Sequence, residues 1–186
     1  MEFDEVIKER KSVRKYHPTK KPNWRDIIEA VDAGNRGPLA GNIGSVKFIL
    51  VDDEETIQKI GDACQQTFIA QAPYVVVVCS DTREVLRSYD ERGKMYMRQQ
   101  AGAAIENLLL KITELGLGSC WVGLFDDNLV KRAIKAKDFV QIEAVLPIGF
   151  SIDKTPRRRK IPLDNSLFFN TYDNRVIKPR KRVEAA

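Results

Sequence analysis

Between Tyr74 and Cys79 the chain reads YVVVVC, an unbroken apolar run that is mostly β-branched. A run so short and so rich in branched side chains reads as a strand covered on both faces. Two further segments share the texture, VKFILV at 46–51 and IEAVL at 142–146. All three are expected as central strands. Between them the apolar spacing turns helical: Ile57, Ile60, Cys64 and Phe68 mark one helix, and Ala101, Ala104, Ile105, Leu108, Leu109, Ile112 and Leu115 a longer one. So much apolar surface on one helix predicts burial on two sides, against the sheet and against another subunit. Alternating strands and helices give an α/β layered domain, a parallel sheet being one arrangement the alternation suggests.

The remaining punctuation fills in the order. Phe3, Val6 and Ile7 predict a helix over 2–11 whose C-terminal end delivers the stretch RKSVRKY. Asn23 is placed to cap a helix carrying Trp24, Ile27, Ile28 and Val31, with Gly34 as its stop. Gly34, Gly37, Pro38, Gly41 and Gly44 then make a loop that a ligand can approach closely. Gly116 and Gly118 end the long helix and lead into a strand at 119–123; Asp126 or Asp127 caps a helix with Leu129, Val130, Ala133 and Ile134. The segment 80–99 is the evident room for a lid. From 151 onward the chain is polar, contains proline and lacks periodicity, so a single domain over 1–186 is expected, with 151–186 as an extended basic tail.

Composition excludes several function classes. The formal net charge is +5 with 31% charged residues, but the basic excess is concentrated at 10–21 and 156–182. No stretch of 18 apolar residues exists, and MEFDEVIKER at the start lacks the apolar core of a signal peptide, so a cytoplasmic protein without a membrane segment is expected. Cys64, Cys79 and Cys120 are odd in number, far apart and set in apolar surroundings, which favours buried free thiols over a disulfide or metal role. One histidine, His17, is too few for an ordinary zinc site and stands in a basic loop without a neighbouring acid for a Ser-His-acid triad. The phosphate-loop motif is absent, and the nearest approach to G-x-G-x-x-G, at Gly116, has Trp121 at its last position and follows a helix. Asp126 and Asp127 read as a helix cap before an acid/base pair. What remains is anion binding. Arg10, Lys11, Ser12 and Arg14 form one cationic knot and Arg157, Arg158, Arg159 and Lys160 another. Each knot is either a solvated face or one half of a phosphate site; a nucleic-acid surface calls for a broader positive face with interleaved aromatics.

The order of motifs distinguishes these. RKSVRKY at 10–16, PLAGN at 38–42, APYVVVV at 72–78, AIENLLLKITELGLGSCWVG at 104–123 and KTPRRRKIPL at 154–163 together resemble the FMN-dependent nitroreductase family over nearly the whole chain. The resemblance implies an α+β three-layer sandwich, a mixed and mostly antiparallel sheet flanked by helices, assembled as an intertwined homodimer with two FMN at the interface. It implies that Arg10 and Ser12 hold the FMN phosphate, with Lys11 where the family often has Arg or His, and that Arg14 reaches the pyrimidine edge of the flavin. Arg157 and Arg159 match tail cations that close over the phosphate. Pro38, Leu39, Ala40 and Asn42 match a loop reaching the flavin from the partner subunit, with Leu39 replacing a family Ser; after Asn42 the family pattern N-x-Q-P-W reads N-I-G-S-V, without its Gln, Pro and Trp. Val122, Gly123 and Leu124 match backbone near flavin N5, while Trp121 reads equally as a flavin wall or a core aromatic. The implied activity is hydride transfer from NADH or NADPH through FMN to a small electron-poor acceptor such as a nitroaromatic or quinone, with no catalytic side chain, no metal and no nucleic-acid partner. Alternatives are a flavin-storing protein without NAD(P)H turnover, and the dehalogenating or flavin-fragmenting reactions of the same superfamily.

Overall fold

The computed structural model describes residues 1–157 and 159–177; Arg158, named above in the tail knot, and residues 178–186 lie outside the described part. The chain divides into two compact units, Met1–Lys154 and Thr155–Ala186. In the first, five helices and four strands follow one another as α1 (Phe3–Glu9), α2 (Trp24–Asn35), β1 (Val46–Val51), α3 (Glu54–Cys64), β2 (Tyr74–Asp81), α4 (Thr82–Glu114), β3 (Gly118–Ser119), α5 (Asp127–Ala133) and β4 (Val140–Gly149). In the second, the described backbone turns on itself: a 3-10 turn spans Leu163–Asn165, the Phe169 amide donates to the Asn174 carbonyl at 2.7 Å, and the Arg175 guanidinium donates to the Asp164 carbonyl at 2.8 Å.

The sheet runs in the order β1-β2-β4-β3 and every ladder in it is antiparallel. A parallel sheet is therefore ruled out; the one parallel contact among the described residues is an isolated bridge between Ser12 and Ser119. VKFILV is an edge strand and not a central one, which is why its residues are mostly half-buried while those of β2 are fully covered.

β2 shows how one apolar run serves three layers. Side chains alternate across a strand, so Tyr74, Val76 and Val78 pack with Ile27 and Ala30 of α2 and with Ala101, Ile105, Leu108, Leu109 and Ile112 of α4. Val75, Val77 and Cys79 face the other way, toward Ile57, Ile60 and Cys64 of α3 and Val130 of α5. Helices thus cover both faces of the sheet, an α+β three-layer arrangement. β4 carries the same alternation with one interruption. Val78 pairs with Ala144 but Cys79 pairs with Ile142, so Glu143 is the extra residue of a bulge. The bulge changes parity: Ala144, Leu146 and Ile148 join the α2/α4 core, whereas Ile142 joins the α3/α5 core. Glu143 is left half-buried with its Oε1 lacking a hydrogen-bond partner among the described residues, and burial pushes its carboxyl above the usual range, opposed by Ser80 and the Arg98 charge.

Local sequence explains the helix ends. The Asn23 side chain accepts from the Arg25 amide at 3.0 Å and Asp53, Asp81 and Asp126 cap α3, α4 and α5 in the same way. α1 starts with a Glu2/Glu5 capping box and stops at Glu9, because Arg10 leaves helical angles at φ −58°, ψ 123°. The segment 80–99 is not a loop-like lid: helix begins at Thr82 directly after β2 and is kinked at Asp90, where φ is 45° and ψ −137°. Beyond the kink, Gly93 sits against the Val85 carbonyl oxygen, which would lie 2.8 Å from a Cβ at that position. Cys64, Cys79 and Cys120 are buried free thiols, with burial pushing Cys64 up to about 11 and Cys79 up to about 12. No helix among the described residues is long and apolar enough to cross a membrane, and no cluster of three metal-ligating side chains is present among them.

Two outcomes are expected. Gly93→Ala, a change that stabilises an ordinary helix by about 1 kcal/mol, should here cost about 1–3 kcal/mol because a backbone oxygen occupies the space; chemical denaturation that finds the variant equal to or more stable than the parent contradicts the packing. Glu143 binds its proton more tightly folded than unfolded, so stability is greatest below the ordinary carboxylate range and is lost as pH rises through the raised value. Glu143→Gln should therefore melt higher than the parent at pH 7, with the gain vanishing toward pH 4; a gain that grows on acidification would reverse the assigned sign.

Candidate functional site

The stretch 10–16 is held between β3 and the chain that follows β4. The Val13 amide donates to the Ser119 carbonyl at 2.8 Å, the Arg14 amide to the Asp153 carboxylate at 3.0 Å, the Ile152 amide to the Lys15 carbonyl at 3.1 Å and the His17 amide to the Phe150 carbonyl at 2.8 Å. Val13 and Tyr16 point inward and are buried, while Ser12, Arg14 and Lys15 are exposed. Val13 packs on Gly118, where its methyl groups would lie 2.9 Å from any added Cβ. The Tyr16 hydroxyl sits 2.8 Å from the Val13 carbonyl and 3.1 Å from the Pro147 carbonyl, and burial, the largest influence, pushes its pKa far above the ordinary tyrosine value. Val13 and Tyr16, three residues apart, are thus two inward anchors, and the hydroxyl and cations of Ser12, Arg14 and Lys15 are left exposed around them.

Charges on this face have named counterparts. Arg10 Nε lies 3.2 Å from Glu106 Oε1 of α4, and Lys11 Nζ donates to the Asp153 carbonyl at 2.7 Å. The Arg14 guanidinium stands 6.0 Å over the Phe68 ring. Burial raises the Cys120 thiol, opposed by the Arg14 charge and a hydrogen bond from Ser12, which puts all three within one small volume. Ser119, the bridge partner of Ser12, is buried with its Oγ lacking a partner among the described residues. Guanidinium groups, an ammonium, an exposed hydroxyl and an unpartnered buried hydroxyl form a donor set suited to a phosphate.

The segment after β3 joins this face. Val122 bridges Val145 and is buried, Gly123 is exposed and Leu124 is 78% exposed, an unusual placement for a leucine. Trp121 is 43% exposed and its ring lies 4.0 Å from where a Cβ of Gly102 would stand on α4. Tryptophan therefore is neither a core aromatic nor loose: it leans on α4 and shows one part to solvent.

The loop of Pro38, Leu39, Ala40 and Asn42 is built separately. Gly41 and Asn42 are consecutive left-handed residues, at φ 56° and φ 60°, a conformation glycine takes freely and asparagine tolerates. The buried Gln100 amide of α4 fixes the loop: oriented with its oxygen toward the Ala40 amide at 3.2 Å, its nitrogen donates to the Ile43 carbonyl and Ser45 Oγ, both at 3.1 Å. Pro38, Leu39 and Asn42 remain exposed and Ala40 half-buried. Arg157 and Arg159 belong to the second unit and are exposed within it.

Gln100, Glu106 and Asp153 carry much of this geometry and were not singled out by sequence. Gln100 did leave a signal, as a polar residue at a helical position abutting the apolar stripe that starts at Ala101. Glu106 and Asp153 left none, since their partners come from 96 and 142 residues away.

The model of the family described as the Nitroreductase family matches residues 7–70 and 62–150. The chain belongs to the nitroreductase family. A Methanocaldococcus jannaschii protein that bears a provisional nitroreductase name is 32% identical over 70% of this chain and 64% of its own length, so this chain spans somewhat under two thirds of that relative. The iodotyrosine deiodinase of Thermotoga neapolitana is 24% identical over 82% of this chain and 90% of its own length. A solved structure described as an FMN-dependent nitroreductase from Clostridium difficile R20291 shares the fold at a TM-score of 0.75, with 22% identity over 90% of this chain and 98% of that one. The match in fold includes the three layers and the antiparallel sheet derived above.

Within this nitroreductase-family chain, Tyr16 is the pin that keeps the N-terminal motif seated. Tyr16→Phe removes the one donor serving two buried carbonyls, and should cost about 1–3 kcal/mol. Denaturation midpoints of parent and variant measure it, and equal midpoints refute the role.

Proposed function

We propose that the chain is an FMN-dependent oxidoreductase that takes a hydride from NADH or NADPH and passes it to an electron-poor acceptor such as a nitroaromatic or a quinone. The observation that carries this reading is the seating of 10–16 against Ser119 and the exposed backbone at Gly123 and Leu124, which brings the cationic knot and the W-V-G segment to one face. When bound, the flavin supplies a ring that accepts and releases a hydride.

The chain's own residues bind, orient and exclude. Arg10 and Ser12 bind the phosphate, with Lys11 adding charge; Glu106 and the Asp153 carbonyl orient the first and third of these. Arg14 favours negative charge at the pyrimidine edge. Val122, Gly123 and Leu124 offer backbone groups beside the reacting edge, and Trp121 keeps water from one side. Pro38, Leu39, Ala40 and Asn42 serve the site of a second copy, so that the working form is a homodimer with FMN between chains. Support for that division comes from α4: Gln100 holds the loop and Glu106 holds Arg10, and six helical residues separate them by about 9 Å along the axis and about 240° around it. The reading needs no side-chain nucleophile.

The test is a flavin titration followed by anaerobic mixing with each nicotinamide. The parent should take up FMN and lose its visible absorbance on addition of NADH or NADPH, and Arg10→Ala should raise the FMN dissociation constant at least about tenfold by deleting a charge-assisted contact. A protein that takes up no flavin overturns the proposal. The likeness to a deiodinase supports a second reading, reductive dehalogenation at the same site; release of iodide from an iodotyrosine, measured beside nitroaromatic reduction, decides between acceptors.

A further inference from the structure

A cavity of about 380 Å³ lies on the far side of the loop that follows Asn42, walled by Ile43, Gly44 and Ser45 and by charged residues from β1 and the start of α4. Lys47, Arg83 and Arg87 contribute three cations to it, Asp81 and Glu84 two carboxylates. One pair among these is closed. Asp81 accepts from the Arg83 amide at 3.1 Å and from its guanidinium at 3.0 and 2.7 Å, and the same guanidinium lies 3.9 Å over the Phe139 ring. Lys47 Nζ donates to the Gly44 carbonyl at 3.2 Å and its charge also acts on Asp81, while Arg87 has no hydrogen bond or ion pair among the described residues. The cavity therefore offers the Arg87 guanidinium and an ammonium shared in part with Asp81 against the carboxylate of Glu84, beside the first turns of α4. A compact dianion is the ligand such a set recognises, and a phosphate monoester is the compact dianion of biological reductants.

Position supplies the rest. On the reading proposed above, on which this inference rests, Pro38 to Asn42 flank the flavin, so the cavity begins where that loop ends. We propose that Lys47 and Arg87 bind the 2′-phosphate of NADPH in this cavity and thereby make NADPH the preferred reductant over NADH. NADH lacks that monoester and would leave both cations facing water. Glu84, i−3 to Arg87 on the same helix face, opposes the dianion and tempers the affinity.

Calorimetric titration of the purified protein with 2′-AMP, adenosine and inorganic phosphate tests this without requiring turnover. The parent should bind 2′-AMP about tenfold or more tightly than adenosine, Arg87→Ala should lose about tenfold in 2′-AMP affinity, and Glu84→Gln should gain. The gain is a result that misfolding cannot imitate. With both nicotinamides, Arg87→Ala should also lower the NADPH to NADH ratio of kcat/KM about tenfold. Equal affinity for 2′-AMP and adenosine, indifference to Arg87→Ala, or weakening by Glu84→Gln overturns the proposal. Inorganic phosphate binding as tightly as 2′-AMP overturns the nucleotide assignment in favour of free phosphate. Selective 2′-AMP binding by a protein that takes up no flavin would uphold the phosphate site while refuting the oxidoreductase reading, so the two failures are told apart.

Discussion

Val13 is the fixed point of the candidate site. Its amide is bonded to Ser119, its side chain fills the space over Gly118, and its carbonyl receives the Tyr16 hydroxyl. With Val13 inward, its immediate neighbours Ser12 and Arg14 face outward, and the same hydrogen bond brings Ser12 level with Ser119 and the Cys120-Trp121-Val122 segment. A slip of one residue would bury a guanidinium and expose a valine, at the cost of an unpaired buried charge. The register of seven residues at the start of the chain therefore follows from one glycine more than a hundred residues later.

That glycine is placed by the sheet, and the sheet by its two-sided burial. β2 and β4 are central because both faces of each are covered, by α2 and α4 on one side and α3 and α5 on the other. β3 and the 10–16 stretch extend the sheet beyond β4; β3 itself is buried, and solvent is reached by Ser12, Arg14 and Lys15 on one side and Trp121, Gly123 and Leu124 on the other. The site thus occupies the place where the core runs out: rigid enough to fix backbone, open enough to admit a ligand. Glu143 marks a compromise in the same strand. Its bulge lets Ile142 cross to the other core, and the cost is a carboxylate held half out of water.

Sequence periodicity located nearly every element, and it did so best where burial and period agree. YVVVVC, the Asn23 cap and the helical stripe from Ala101 each translate directly into observed structure. Strand direction was not legible, because an apolar run looks the same whether its neighbour runs parallel or antiparallel; only hydrogen-bond partners decide. The edge position of VKFILV was hidden for a related reason, since its half-burial depends on which strand is missing on one side. The 80–99 segment reads in sequence as room for a lid, whereas the chain is helical from Thr82 and concentrates the break in one residue, Asp90. For the site, the motif carried the cations but not their orienters. Glu106 and Asp153 are ordinary surface acids until folding sets them beside Arg10 and Lys11.

The loop after Asn42 links the departures in sequence to the shape of the site. Where the resemblance calls for Gln, the chain has Gly44, and no atom lies within 4 Å of the place where its Cβ would stand. The missing side chain has not been replaced by a neighbour. Ser45 cannot move in, because its hydroxyl is bound to Gln100, and Val46 is committed to β1 through its pairing with Ser80. Space lost from one residue has stayed open, and the carbonyl of that same Gly44 receives Lys47. The polar side chain that the family pattern has at this position is thus exchanged here for a gap bordered by a cation.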